Sequence, residues 1–351
     1  MENRSFSLVP KFSLEPNRIA FYNEVVKWTA PSADHKKSEK GFTSFNDRFK
    51  AHYAENKIER KAHNFKISEN ARRNLRRKIN WLYYLSKSKH VKTYSGKQIY
   101  NFKMCFLTLT LPSDQHHCTR DFTNEFFNQF LTEVRQRTGM ENYVWRLEFQ
   151  KNGNVHYHLC SDTYLDYFFV LPIWNRILEK GNYIRPYQKK FQNLSLQEYR
   201  DKVDPQRKTN FNIIAKRYAK GQKTNWSQPN SVDVISVIGK KKIQFYISKY
   251  FGKDAPHGTI CNRLDNAENS KNLRLWFCSR SLSKLKTICE YCQCFEGIVA
   301  DVIRTSGDTK VLVFQYAKLI FFEISKFKNE SRKIIEKALK GYAWQQGYVP
   351  Q

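Results

Sequence analysis

The stretch from residue 143 to residue 159 constrains the fold more than any other part of the sequence. Its side chains alternate between apolar and polar on both sides of Asn152-Gly153, a pattern that is typical of a β-hairpin. A bare two-residue turn would place the apolar side chains of the two strands on opposite faces. A three-residue loop over residues 151–153, with Gly153 in the left-handed conformation, places them on one face. Because register follows the buried face, we predict the three-residue loop.

The predicted register brings three potential metal ligands to the polar face of the hairpin. Glu148 lies opposite His156, and His158 follows two residues later on the same face, because side-chain direction repeats every second residue in a strand. Two imidazoles and one carboxylate can bind a divalent cation such as Mg²⁺ or Mn²⁺ and leave coordination positions open. A His-x-His pair is also common in ordinary strands, so the metal site is a hypothesis at this point. The pairs expected on the apolar face are Phe149–Val155, Leu147–Tyr157 and Trp145–Leu159.

The charge of the chain indicates its partner. The 351 residues include 61 Lys and Arg against 32 Asp and Glu, which gives a formal net charge of +29. Such an excess repels itself unless a polyanion neutralises it, so we expect nucleic acid as the partner. The 20 Tyr, 26 Phe and 7 Trp suit base stacking, although most are expected in the core.

Compartment and cysteine chemistry follow from composition. No apolar run approaches the roughly 18 residues of a membrane span, and residues 1–4 do not open a signal peptide. We therefore expect a cytoplasmic protein without a membrane partner. Cys278, Cys289, Cys292 and Cys294 could form a zinc knot, but their spacing matches no standard pair of motifs, and reduced, partly buried thiols are the alternative.

The first hundred residues are predicted to form a basic extension. Residues 1–65 show weak periodicity and are expected to be irregular, whereas Ser68 is a predicted N-cap for a helix over about residues 69–87. Cations cluster on this helix and form either a solvated face or a phosphate-binding surface. These candidate nucleic-acid-binding residues are Arg72, Arg73, Arg76, Arg77 and Lys78.

The remaining chain is typical of an α+β domain with a central antiparallel sheet flanked by helices. A strand precedes Pro112, with Leu107, Leu109 and Leu111 facing one side and Phe106, Thr108 and Thr110 the other. An amphipathic helix capped by Asp121 and ending near Gly139 follows, then the hairpin, a charged insertion over residues 163–230, and a strand at Val232–Val237. A further helix is expected near residues 330–342. The predicted division is residues 1–100, 101–260 and 261–351.

A second candidate cluster lies on a predicted helix that ends at Gly252. Tyr246 and Tyr250 are four residues apart and share one helix face. Lys249 and Lys253 each lie three residues after one of these tyrosines, where an ammonium group favours the phenolate and stabilises charge on a phosphoryl group. A helix of this composition is also typical of a basic surface that faces DNA. The absence of a Gly-x-x-x-x-Gly-Lys-Ser/Thr motif excludes a Walker-type motor and a nucleotide cofactor of that kind.

The three motifs together resemble those of the HUH endonucleases that initiate rolling-circle replication in small single-stranded DNA phages and plasmids. They are residues 106–112, His156-Tyr-His158 and residues 246–253, and the likeness spans about residues 70–280. The doubled tyrosine resembles the two-tyrosine, phage-type branch, and the resemblance implies an HUH fold of the ferredoxin or RRM type. It further implies that His156, His158 and Glu148 bind the metal, that Tyr246 and Tyr250 are nucleophiles, and that Lys249 and Lys253 assist them.

The resemblance implies metal-dependent nicking and joining of single-stranded or origin DNA through a 5′-phosphotyrosine. A host helicase and DNA polymerase in a bacterial cytoplasm are the implied partners. Two alternatives stay open within the enzyme class, a two-tyrosine transposase and a plasmid relaxase. A basic nucleic-acid-binding protein without catalysis is the alternative of another class.

Overall fold

The computed structural model describes residues 6–27, 65, 67–237, 264–265, 273–291, 310–314, 317–324, 327 and 329–349. A π-helical turn, Thr123–Phe127, joins the second and third helices. The described strands are β1 (Phe6–Glu15), β2 (Arg18–Lys27), β3 (Lys89–Lys92), β4 (Gln98–Phe102), β5 (Met104–Leu109), β6 (Tyr143–Phe149), β7 (Val155–Ser161), β8 (Val232–Val237), β9 (Trp276–Cys278), β10 (Ile288–Tyr291), β11 (Lys310–Phe314) and β12 (Ala317–Phe321). The described helices are α1 (Glu69–Leu85), α2 (Thr119–Phe122), α3 (Asn128–Thr138), α4 (Tyr167–Lys180), α5 (Ile184–Phe191), α6 (Leu196–Val203), α7 (Phe211–Lys223), α8 (Arg280–Lys284) and α9 (Asn329–Gln345).

One compact unit combines residues 1–61 with residues 286–347. Its five-stranded antiparallel sheet has the order β10-β1-β2-β12-β11, so strands from the two ends of the sequence pair with each other. The expectation of an irregular segment at residues 1–65 is therefore wrong for residues 6–27. Phe12, Leu14 and Ile19 are buried in this sheet. The pairing partners of β1 and β2 lie far along the chain, and local periodicity cannot register them.

The other unit contains residues 62–285 and 348–351. Its main sheet has the order β8-β5-β7-β6-β9, and every neighbouring pair is antiparallel. The apolar side chains of β5, β6 and β7 pack with α3 and α4 in one core, which includes Phe130, Val134, Trp174 and Ile177. The predicted fold class, α+β with a central antiparallel sheet flanked by helices, is confirmed.

The basic helix α1 begins where the sequence predicts. The Ser68 hydroxyl accepts a hydrogen bond from the Ala71 amide at 3.2 Å and caps the helix. Leu75, Ile79 and Leu82 are buried, and the helix contacts β6 and β9 of the main sheet. The cationic helix is thus part of the same unit as the hairpin.

The helical segment before the hairpin begins earlier than predicted. Cys118 occupies the N-cap position, so the expectation that Asp121 caps the helix is wrong. Thr119, the first helical residue, instead donates from its amide and its hydroxyl to the Asp265 carboxylate, at 2.7 and 2.6 Å. The predicted end is confirmed, because Gly139 follows α3 with a positive φ of 67°.

The predicted insertion is helical and has a small core of its own. Its buried residues are Phe191, Tyr199, Ile214 and Trp226, contributed by α5, α6 and α7 and the segment that follows them. Among the residues that the structure describes, no helix is both long enough and apolar enough to cross a membrane.

A short C-terminal segment belongs to the unit that contains the hairpin. Tyr348 is 2 % exposed and donates its hydroxyl to the buried Asp162 carboxylate at 3.3 Å. Asn142 donates to the same oxygen at 2.9 Å and to the Val349 carbonyl at 3.0 Å. Burial raises the pKa of the Asp162 carboxyl, and these donors supply the polar contacts that a buried carboxyl requires.

Candidate metal centre

The hairpin has the register that the sequence predicts. Glu148 lies opposite His156, Leu147 opposite Tyr157 and Trp145 opposite Leu159. Gly153 has a φ of 84°, and the Gln150 amide donates to the Asn154 carbonyl at 2.8 Å across the three-residue loop. The left-handed glycine therefore sets the register that places Glu148, His156 and His158 on one face.

The His158 ring is held on all sides. It is 1 % exposed and stacks on Phe106 with ring centroids 5.5 Å apart. Its Nδ1 lies 3.2 Å from the Thr108 hydroxyl, and its Nε2 lies 3.2 Å from Glu148 Oε2. The contact at Nδ1 directs Nε2 towards the carboxylate, as outer partners of metal-binding histidines commonly do.

The His156 ring lies beside that of His158, with centroids 4.5 Å apart. Its Nδ1 contacts the Gln150 side-chain nitrogen at 3.0 Å. Burial, and to a lesser degree the neighbouring His158, lower the pKa of His156 to about 4, while Glu148 opposes the shift. His156 is therefore neutral at physiological pH, and neutral imidazole is the form that binds metal.

Glu148 stays ionised in this setting. Burial alone would raise its pKa, but the hydrogen bond from His158 and the charges of Arg146, His158 and His156 hold the pKa of the carboxyl below its ordinary value. The Arg146 guanidinium lies 3.2 Å from Glu148 Oε1, and the Arg146 residue is 6 % exposed. A carboxylate with one oxygen facing a cation and the other facing an imidazole is already desolvated and charged.

The chemistry of this donor set fits a hard divalent cation. Two adjacent ligands about 2.1 Å from an octahedral Mg²⁺ lie about 3 Å apart, close to the 3.2 Å between Glu148 Oε2 and His158 Nε2. As it stands, no group of three or more His, Cys, Asp or Glu in the described part of the chain has the geometry of a metal site. Binding would therefore replace the direct Glu148–His158 hydrogen bond.

Several residues around this cluster were not predicted as site residues. Thr108 pairs with both His158 and Asp233 in the sheet, so the exposed Asp233 side chain belongs to the same row. Gln150 and Arg146 complete the surroundings. Arg146 precedes Glu148 by two residues, and the period of two could have revealed it. Gln150 and Asp233 have no comparable sequence signal.

The candidate catalytic residues lie outside the described residues. They are Tyr246, Lys249, Tyr250 and Lys253, in the segment that follows β8. Their roles remain predictions. Of the predicted zinc knot, the Cys278 thiol is buried and burial raises its pKa, whereas Cys292 and Cys294 also lie outside the described part.

The cations of α1 divide into two groups. The side chain of Arg73 is 67 % exposed, Arg76 and Arg77 are partly exposed, and Arg72 lies 3.4 Å from Glu69. Lys78 departs from the prediction because it is 7 % exposed and its ammonium donates to the carbonyls of Ser283, at 2.9 Å, and Leu285. Its position on the apolar stripe, between Leu75 and Leu82, makes it a structural residue rather than a phosphate contact.

Comparison with known proteins supports a role in replication. Residues 104–255 match a family model of replication-associated proteins of the ORF2 type. These residues run from the first residue of β5 through the hairpin and β8 and include the segment with Tyr246 and Tyr250. No curated protein and no solved structure matches the chain. Over these residues the chain is similar to replication-associated proteins, as expected of a rolling-circle Rep-type protein.

Proposed function

We propose that the chain is a rolling-circle replication initiator that nicks and rejoins one DNA strand with its own tyrosines. The observation that carries the proposal is the convergence of Glu148, His156 and His158 on one face of the hairpin. The match over residues 104–255 and the net charge of +29 support it.

In the proposed reaction Tyr246 or Tyr250 attacks the scissile phosphorus. The new bond joins the phenolic oxygen to the 5′ phosphate, the bond to the 3′ oxygen breaks, and the phenolic proton is balanced by the new 3′ hydroxyl. Lys249 and Lys253 stabilise the phenolate and the negative charge on the phosphate. The free 3′ hydroxyl primes synthesis, and its later attack on the phosphotyrosine reverses the step and closes a circle.

The residues of the hairpin would hold a divalent metal for this reaction. Mg²⁺ or Mn²⁺ supplies Lewis-acid polarisation of the phosphate when it is bound. Glu148, His156 and His158 are the proposed ligands, while Thr108 and Gln150 orient the two rings through Nδ1. A site of this kind takes an unpaired strand more easily than a duplex. Because no Walker motor occurs in the sequence, a host helicase and polymerase are the proposed partners.

A covalent-adduct assay tests the proposal. End-labelled single strands that cover the replicon encoding the chain are incubated with the protein and Mn²⁺ or Mg²⁺ and separated on a denaturing gel. We expect a protein-linked band that disappears with EDTA, in His158→Ala and in the Tyr246→Phe/Tyr250→Phe double variant. The single tyrosine variants show which phenol acts first.

Tyr94→Phe is the matched control, because Tyr94 is 73 % exposed and lies in the turn between β3 and β4. It should form the adduct as efficiently as the unchanged protein. Tight binding to many strands without any adduct would instead identify a basic DNA-binding protein without catalysis.

A further inference from the structure

A polar pocket of about 570 Å³ lies beside the edge strand β9. The segment Thr119–Thr138 forms one wall, and the other includes Tyr143, Trp145 and Phe277. Trp145 pairs with Phe277, while their neighbours Arg146 and Trp276 pair on the alternate face. Because side chains alternate along a strand, the pocket lies on the sheet face opposite to that of Glu148 and His158.

The helical wall of this edge pocket is polar where a helix that covers a sheet is ordinarily apolar. The polar side chains recur about every four residues and so form one stripe along the helix. Asn124, Asn128 and Thr132 are exposed, and they offer amide and hydroxyl groups to a ligand. The stripe consists of Arg120, Asn124, Asn128, Thr132 and Arg135.

The charge of the edge pocket is positive. Arg120, Arg135 and Arg274 contribute guanidinium groups, and its lining contains no Asp or Glu. Arg120 lies 3.2 Å from the Asp121 carboxylate. Arg135 and Arg274 form no ion pair with a carboxylate in the described part of the chain. Two cations are therefore available to an anionic ligand.

The two available cations are supported by aromatic rings. The Arg135 guanidinium lies 5.7 Å from the centroid of the Tyr143 ring, and that of Arg274 lies 5.1 Å from the centroid of Phe277. A guanidinium over a ring keeps its edge free for bidentate contact with phosphate. Phe277 is 37 % exposed, which leaves part of its ring accessible for stacking.

These features select a ligand that has a phosphate, a flat ring and hydrogen-bonding edges. The volume lies within the range of about 300–1,000 Å³ of pockets that bind small molecules, so it exceeds the needs of a single phosphate ion. We propose that the edge pocket binds a nucleotide of single-stranded DNA at a distance from the cleaved phosphodiester. The proposal rests on the proposed function in taking DNA as the substrate, and it adds a second contact on the opposite face of the sheet.

Binding in the absence of cleavage tests this second contact. The affinity of a fluorescein-labelled single strand of mixed sequence is measured by anisotropy in EDTA, at several salt concentrations. We expect the Arg135→Gln/Arg274→Gln variant to bind about tenfold more weakly and to lose about 1.4 from the salt slope, since each phosphate contact to a single strand contributes about 0.7. Phe277→Leu should weaken binding of the single strand by about fivefold or more, as expected when a stacking ring is lost.

Arg137→Gln/Arg280→Gln is the charge-matched control, because both side chains are exposed and neither lines the edge pocket. It should change the affinity less than twofold. Equal losses in the two double variants would overturn the proposal, because they would reflect overall charge alone. Thermal unfolding of each variant verifies that it folds.

Photo-crosslinking gives the position of the contact. A strand that carries 5-iododeoxyuridine should crosslink to Phe277 or Tyr143, and an excess of unlabelled strand should prevent it. Prevention by free thymidine monophosphate but not by the strand would identify a free-nucleotide site and overturn the proposal. Because no adduct is measured, this contact can fail while the nicking reaction stands, and the reverse also holds.

Discussion

At the scale of single residues, the candidate metal centre combines predictable and unpredictable parts. Glu148, His156 and His158 could be brought together from sequence because one hairpin contains all three and its apolar alternation permits one register. Thr108 reaches His158 through a pairing of strands that are distant in sequence. Local patterns predict which way Thr108 faces but not which residue it meets.

The pKa of His156 provides a prediction at this scale. Because burial lowers this pKa to about 4, His156 should titrate far below the ordinary value of about 6.5. Ring proton shifts of the metal-free protein, followed by NMR against pH, measure the midpoint. Replacing the opposing carboxylate in Glu148→Gln should lower the midpoint further, and a midpoint near 6.5 would contradict the burial of the ring.

The same shift has a consequence for stability. Between pH 6.5 and about 4 the unfolded chain binds a proton at His156 that the folded chain does not. The free energy of unfolding therefore falls as the pH decreases through this range, by at most about 3 kcal/mol from this group. The fall should be shallower in His156→Gln.

At the scale of elements, backbone conformation decides which side chains meet. The loop of the hairpin requires a left-handed residue, and Gly153 supplies it with a φ of 84°. This requirement was visible in the sequence, as was the end of α3 at Gly139. The start of the preceding helix was not, because Asp121 has the usual composition of a cap while the stabilising carboxylate comes from Asp265.

We expect Gly153→Ala to destabilise the protein by about 1–2 kcal/mol, because an alanine in the left-handed region is strained. It should also weaken Mn²⁺ binding, since the loop sets the register of the ligands. Calorimetric unfolding and a metal titration measure the two effects. Gly341→Ala is the contrasting control. A Cβ built there meets no heavy atom within 4 Å, and alanine is favoured inside α9 by up to about 1 kcal/mol.

Helix α1 gives a second prediction at this scale. Lys78→Met keeps the apolar stem but leaves the carbonyls of Ser283 and Leu285 without their donor, so the free energy of unfolding should fall by about 1–3 kcal/mol. Arg73→Gln should change it by less than about 0.5 kcal/mol but should weaken DNA binding. Urea unfolding and anisotropy separate the two residues. Weaker DNA binding in a stable Lys78→Met variant would contradict the structural role.

At the scale of the whole molecule, charge and topology follow different rules. The net charge of +29 was sufficient to predict a polyanionic partner. The division into two units could not be predicted, because strands at Phe6–Lys27 pair with strands beyond residue 285. The predicted segments 1–100, 101–260 and 261–351 follow chain order, whereas the sheet of the smaller unit combines both ends of the sequence.

The charge leads to a prediction about salt. The logarithm of the affinity for single-stranded DNA should fall linearly with the logarithm of the salt concentration. Five or more phosphate contacts would give a slope of about −3.5 or steeper. Titrations between about 50 and 200 mM salt give the slope. A slope near zero would show that the cations do not contact phosphates.

The contact between Tyr348 and Asp162 has a consequence for how the protein matures during translation. The two residues are 186 positions apart, so at about 5–20 residues per second the ribosome needs roughly 10–40 s to add the second after the first. During that interval the carboxyl at the end of the hairpin strand lacks its phenolic donor. The unit that contains the metal ligands therefore acquires its last buried contact long after the hairpin has been synthesised, and premature termination would release a chain in which that position is exposed to water.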